Sequence, residues 1–170
     1  VIKHAIIRDA ELFEQVGRLD RGNLAPLIAR NVAIKAAIVA ADEHETTGER
    51  ALLNFGHTIG HGIEAAAGYG FYLHGEAISL GIVAAGLISM KLAGLAAEDQ
   101  ERILTLLRQF KLPVKLPAEI STESIVAALK TDKKFSEGKI RFVLTAGIGS
   151  AFLSEKVTIE DIRGAIEGLR

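Results

Sequence analysis

The sequence predicts a mainly α fold: a multi-helix domain with one small β-hairpin near the C-terminus. Apolar residues recur at helical spacing through most of the 170 residues. Strand-like runs occur only at 140–145 and 151–157, separated by Ala-Gly-Ile-Gly-Ser. Gly22-Asn23, Gly68-Tyr-Gly70 and the pair Pro113 and Pro117 divide the periodic stretches. The length suits one domain over residues 1–170 with a sizeable core of its own.

Ile2, Ile6, Ala10, Phe13 and Val16 mark a first helix. Leu24, Leu27, Ile28, Val32, Ile34, Ile38 and Val39 mark a second, with Pro26 tolerated in its first turn. Residues 42–48 form a polar connector, and Thr46 with Glu49 has the spacing of a capping box, which predicts a third helix over 50 to 66. A fourth helix is expected from Glu76 to about residue 96, rich in small residues that permit close helix approach. A fifth follows from Glu98 to Phe110, ahead of the two prolines. Ser121 caps a sixth reaching about residue 130, and Thr158 with Asp161 resembles the start of a last one.

Hydrophobic residues make up 49% of the chain and charged residues 24%, the balance of an ordinary soluble globular protein. A net charge of -1 argues against non-specific nucleic-acid binding and points to a small partner molecule. The longest uncharged stretch, 77–90, is too short to cross a bilayer and reads as a buried core helix, so no membrane association is expected. The chain has no cysteine, which excludes disulfides and thiolate metal sites and is compatible with a cytoplasmic protein. Any metal must therefore sit on His and carboxylate groups. The chain opens on Val1 inside an amphipathic segment, as a piece of a longer protein would.

The run from Leu53 to His61, followed by Leu73-His-Gly-Glu76, carries the chemistry. On a continuous helix Arg50, Asn54, His57, His61 and Glu64 would line one face, opposite the apolar stripe of Leu52, Phe55, Ile59 and Ile63. His57 and His61 would lie about 6 Å apart along the axis, as two ligands of one metal or one anion require. The run is not HExxH, because Thr58 stands where the general base would be needed. For an isolated pair, lining a polar crevice is an equal alternative. Gly56, Gly60 and Gly62 shift the balance: each costs roughly 1 kcal/mol relative to Ala inside a helix, so a ligand or another backbone must approach there. His74 starts a helix, where it is either a ligand or an N-terminal capping residue. Glu76 is a metal ligand or, the favoured reading, an acidic first-turn residue that suits the helix dipole, and Glu64 is equally a ligand or a group that orients one.

Lys3, Lys35 and Arg50 are single cations on helices, by default solvated. Lys133 and Lys134, with Asp132, Lys139 and Arg141, form an anion site or a plain charged surface beside the hairpin. His4 and His44 have no partner spacing and are expected to face solvent. No glycine-rich phosphate loop follows a strand, so a nucleotide fold is not expected in this chain. A nucleophile turn is likewise missing.

Arg50-Ala-Leu-Leu-Asn-Phe-Gly-His-Thr-Ile-Gly-His-Gly-Ile-Glu64 and Tyr72-Leu-His-Gly-Glu-Ala77 closely resemble the signature of the 3-dehydroquinate synthase family. Val1-Ile-Lys-His, Lys35-Ala, Asp42-Glu-His-Glu-Thr and Thr131-Asp-Lys-Lys134 fit it in the same order. Ala5 and Gly62 depart from the residues common there, and the connector from Asp42 to Arg50 is one residue longer, which loosens the placement of Lys35 against Arg50. The resemblance covers the helical C-terminal half of a two-domain enzyme, without the N-terminal NAD-binding α/β domain.

The resemblance implies an NAD- and metal-dependent lyase of the shikimate pathway. Its substrate is the phosphorylated sugar acid 3-deoxy-D-arabino-heptulosonate 7-phosphate, converted to 3-dehydroquinate and phosphate. His57 and His74 match two ligands of a divalent metal, zinc or cobalt; a third, a Glu, would precede Val1. Lys3, Lys35, Arg50 and Asn54 match residues that hold carboxylate and hydroxyls, and His61 with Lys133 or Lys134 match phosphate contacts. NAD is bound by the absent domain, and the full-length protein is expected to be a homodimer. Alone, the chain is expected to be inactive. Competing readings are a sister sugar-phosphate cyclase, an iron-dependent or glycerol-type dehydrogenase, against which Asn-Phe-Gly-His-Thr argues, and a non-catalytic helical interaction module.

Overall fold

Asp9 divides the first apolar segment in two. In the computed structural model, which describes residues 1–20, 22–68, 70–130 and 140–170, α1 spans Ile2–Arg8 and α2 spans Ala10–Gly17. Asp9 is extended (φ -152°, ψ 90°), and its carboxylate accepts the Leu12 N–H at 2.9 Å. A short acidic side chain thus caps a new helix where periodicity alone predicts continuation. Arg30 reaches Asp9 at 2.6 and 2.8 Å and Glu11 at 2.9 Å, which ties α2 to α3, Leu24–Ala41. Of the apolar residues of α3, Leu27 and Ile38 are buried, while Leu24, Ile28 and Val32 stay exposed on one face.

The connector after α3 is organised by Asp42 rather than by a capping box at Thr46. The buried Asp42 carboxylate accepts backbone N–H bonds from Thr46 (2.7 Å), Thr47 (3.0 Å), Gly48 (3.0 Å) and Arg50 (3.1 Å). Glu49 pairs with Arg8 instead of closing back on Thr46.

The helix expected over 50 to 66 is broken. Arg50–Asn54 is a short 3-10 helix, Phe55 turns out at φ -53°, ψ 125°, Gly56 is left-handed at φ 76°, and α4 starts afresh as His57–Ala67. The cause lies in α5, His74–Leu92, which carries an unbroken buried run from Ala77 to Gly86. A Cβ at Gly81 of α5 would fall 1.9 Å from the Gly56 carbonyl oxygen, and one at Gly56 would fall 2.7 Å from Ile82. The two backbones touch, so the chain leaves its helical path to make that contact.

The helix α5 ends four residues short of expectation, before Gly94 at φ 76°, and forms the central rod of the core. It packs against α4, α6 (Ala97–Gln109), α8 (Ile159–Glu167) and strand β1 (Phe142–Thr145). Against α4 lies α7, Thr122–Lys130, with Leu129 filling the space over Gly62. Strand β1 pairs antiparallel with β2 (Ala151–Ser154), from Phe142 opposite Ser154 to Thr145 opposite Ala151. The second strand is shorter than expected. The turn end of the hairpin is fastened twice: Ser89 Oγ accepts the Thr145 N–H at 3.1 Å, and the Ile6 carbonyl accepts the Gly149 N–H at 2.7 Å. Thr158 and Asp161 form the expected reciprocal cap at the start of α8. The eight α-helices and one hairpin among the described residues match the mainly α class.

Candidate functional site

The break at Phe55-Gly56 positions the first histidine. The apolar stripe Leu52, Phe55, Ile59 and Ile63 is buried as its spacing predicts, which turns His57 and His61 toward the opposite side of α4. His74, the first residue of α5, swings back over them. The ring centroids lie 5.4 Å apart for His57 and His61, 5.6 Å for His57 and His74, and 5.6 Å for His61 and His74.

Hydrogen bonds set the tautomers of two of these rings. His57 Nδ1 lies 3.1 Å from the Phe55 carbonyl oxygen and His74 Nδ1 lies 3.2 Å from Glu64 Oε2. A carbonyl and a carboxylate only accept, so each Nδ1 carries a proton, which leaves Nε2 as the ring atom that can face a metal. Burial, then Lys3, pushes the His57 pKa down to about 4, so this ring is neutral at physiological pH. Imidazoles whose Nδ1 atoms are held by acceptors and whose Nε2 atoms are left to ligate are the donor set that a divalent metal requires. The residues therefore fit such an ion. Ligand atoms of His61, Glu64 and His74 also lie within 4.8 Å of one another, a different triple that counts Glu64 as a ligand. In the structure Glu64 is engaged at Nδ1 of His74.

Lys3 enters from α1. Its ammonium donates to the Leu53 carbonyl and stands 3.4 Å from His57 Nε2. Burial and then the charge of Lys35 lower its pKa to about 8. Lys35 is thus close enough for its charge to act on Lys3.

Arg50 and Asn54 are not on the histidine helix. They sit on the 3-10 helix, and the Arg50 guanidinium is turned into the connector, 3.1 Å from Glu45 and 2.8 Å from the Glu43 carbonyl. Asn54 lines a separate hollow of about 120 Å³ with Asp42, Thr58 and Arg141. The single stripe from Arg50 to Glu64 is therefore corrected to two clusters that meet at Thr58, the neighbour of His57. Lys133 and Lys134, with Asp132 and Lys139, lie outside the described residues.

Two other expectations change. His4 is half-buried rather than solvent-facing, with Nδ1 donating to Asn31 at 2.8 Å. The glycines serve helix contact: Gly56 and Gly60 face Ile78 and Ile82 of α5, and Gly62 faces Leu129. Asp42 and Thr58 were not anticipated at the site. An Asp at a helix end followed by Thr-Thr-Gly is a local signal for the first, whereas nothing local marks Thr58.

Comparisons with known proteins identify the family. The family model for the 3-dehydroquinate synthase C-terminal domain matches residues 1–135. The 3-dehydroquinate synthase of Acaryochloris marina is 40% identical over 178 residues, covering 99% of this chain and 48% of its own length. That of Pseudoalteromonas translucida is 42% identical over 174 residues, 98% of this chain and 49% of its own. The chain therefore spans about half the length of the curated relatives it matches. Among solved structures, 2-epi-5-epi-valiolone synthase from Streptomyces hygroscopicus, with NAD+ and Zn2+ bound, superposes with a TM-score of 0.84 at 28% identity over 99% of this chain and 48% of that one. A 2-deoxy-scyllo-inosose synthase shares the fold at a TM-score of 0.83 and 24% identity, over 99% of this chain and 49% of that one. With a family model covering most of its length, this chain belongs to the 3-dehydroquinate synthase C-terminal family.

Proposed function

We propose that this chain supplies the metal- and substrate-holding half of a 3-dehydroquinate synthase, a phosphate-eliminating cyclase acting on 3-deoxy-D-arabino-heptulosonate 7-phosphate. The observation that carries the reading is the convergence of His57, His61 and His74, with Nδ1 of His57 and of His74 each held by an acceptor, beside the cation Lys3. When bound, zinc or cobalt supplies Lewis acidity toward a substrate hydroxyl and the carbonyl formed from it, and NAD supplies the hydride exchange. His57 and His74 hold the metal. Lys3, with its pKa near 8, holds a substrate hydroxyl or carboxylate oxygen next to His57 and exchanges a proton there at modest cost. Lys35 adds charge to the same corner, Arg50 and Asn54 hold the carboxylate end, and His61 with Lys133 or Lys134 holds the phosphate. Holding one substrate at several points is the larger part of the catalytic task in an intramolecular sequence of steps.

On this reading NAD is bound by an N-terminal α/β domain of the full-length protein, a cytoplasmic homodimer. An apolar groove of about 440 Å³ supports a docked neighbour, because it is lined by Val1, Leu24, Ile28 and Phe110 and reaches Lys3. The test is direct: in the full-length protein, His57→Ala and His74→Ala each abolish stoichiometric uptake of a divalent metal. Unchanged uptake leaves the non-catalytic helical module. Turnover of other sugar phosphates in preference to the heptulosonate favours a sister cyclase, the second reading, which the likeness to 2-epi-5-epi-valiolone synthase supports. The chain by itself is expected to show no turnover and weak metal affinity; turnover in isolation overturns that.

A further inference from the structure

His57 and His74 are oriented by different means. The ring of His57 leans on a backbone carbonyl two residues earlier in its own chain turn, an acceptor that no substitution removes. His74 leans on a side chain. It is the first residue of α5, at the end of a loop with left-handed glycines at Gly68 (φ 85°) and Gly70 (φ 83°), and its side chain is 57% exposed. Packing does little to fix an imidazole in such a setting. The acceptor at its Nδ1 is Glu64, three residues after His61 and seven after His57 on α4, hence on the same helix face.

We propose that Glu64 is a positioning residue for metal capture: its carboxylate keeps the His74 proton on Nδ1 and aims Nε2 at the ion shared with His57. The inference rests on the metal reading given above and extends it to a residue that does not itself ligate. The arrangement is a carboxylate–imidazole pair spanning the α4–α5 turn, and it makes the metal site depend on the register of the two helices. The alternative, in which Glu64 joins His61 and His74 as a ligand, conflicts with the pairing. An ion bridging Glu64 and His74 would have to take the edge of the ring that now faces the carboxylate, and Nδ1 would have to lose its proton.

The test uses the full-length protein loaded with Zn2+ or Co2+, chelator competition for affinity and the visible absorption of bound Co2+ for the ligand set. Glu64→Ala is expected to weaken metal binding by about 10- to 100-fold while leaving one ion bound at saturation and the Co2+ absorption unchanged. Glu64→Gln keeps an oxygen that accepts from Nδ1 and is expected to retain most of the affinity. The thermal midpoint of the metal-free protein should be the same in all three, because a pair this exposed adds little to stability. Unchanged affinity in Glu64→Ala overturns the proposal, as does equal loss in the Ala and Gln variants. A changed Co2+ absorption overturns it in favour of direct ligation. His57→Ala separates the two levels of inference: if that variant keeps its metal, the metal reading itself fails, whatever Glu64 does.

Discussion

Single side chains here are explained by what lies against them. Gly81 is in the middle of a buried helix where Ala would be the better helix former, and it is excluded because its Cβ would meet the Gly56 carbonyl at 1.9 Å. Gly81→Ala is therefore expected to cost about 1–3 kcal/mol, read from urea unfolding. Gly164, inside α8 with nothing near its missing Cβ, predicts the reverse: Gly164→Ala should raise stability by about 0.5–1 kcal/mol. Gly56, Gly60 and Gly62 were legible as positions of close approach, but not what approaches. A glycine reports that space is short and carries no information on whether a ligand or a helix takes it.

Among elements, the connector between α3 and the 3-10 helix has the most to lose from one change. Its backbone donors converge on Asp42, and those hydrogen bonds hold the Asp42 pKa down at about 2. A carboxyl group whose folded pKa is depressed contributes stability that is present above its unfolded value near 4 and lost as pH falls toward 2. Asp42→Asn should therefore lower the urea midpoint at neutral pH, and the gap to the wild type should close between pH 4 and 2; a gap independent of pH would contradict this. The same substitution frees the Arg50 N–H and should loosen the 3-10 helix that carries Arg50 and Asn54. At the other end of the chain, Thr158→Ala removes a reciprocal cap and should cost about 0.5–2 kcal/mol in thermal or urea unfolding. That cap was legible because both its partners lie within four residues. The break at Gly56 was not, since its cause is the backbone of α5, some twenty-five residues away.

For the molecule as a whole, α3 is the anomaly. Its 18 residues are as apolar as those of the central rod α5, yet Ile28 is 49% and Val32 58% exposed. Exposed apolar surface continuous with the groove at Val1 and Leu24 is expected to bind a hydrophobic dye when the chain is produced alone. Ile28→Lys with Val32→Lys should reduce that fluorescence without loss of helical circular dichroism; an unchanged signal would place the dye elsewhere. By itself the sequence determined the mainly α class, the order of helices and hairpin, the cap of α8 and the buried stripe of α4, because periodicity and capping act between residues a few positions apart. It also singled out the histidines, since their types and spacing are local facts. Only the tertiary structure decided that Arg50 and Asn54 leave the histidine helix, that Lys3 stands beside His57, and that Glu64 holds the ring of His74. Those relations are made by separate segments folding against one core, and the distances between such segments are set by packing rather than by spacing along the chain.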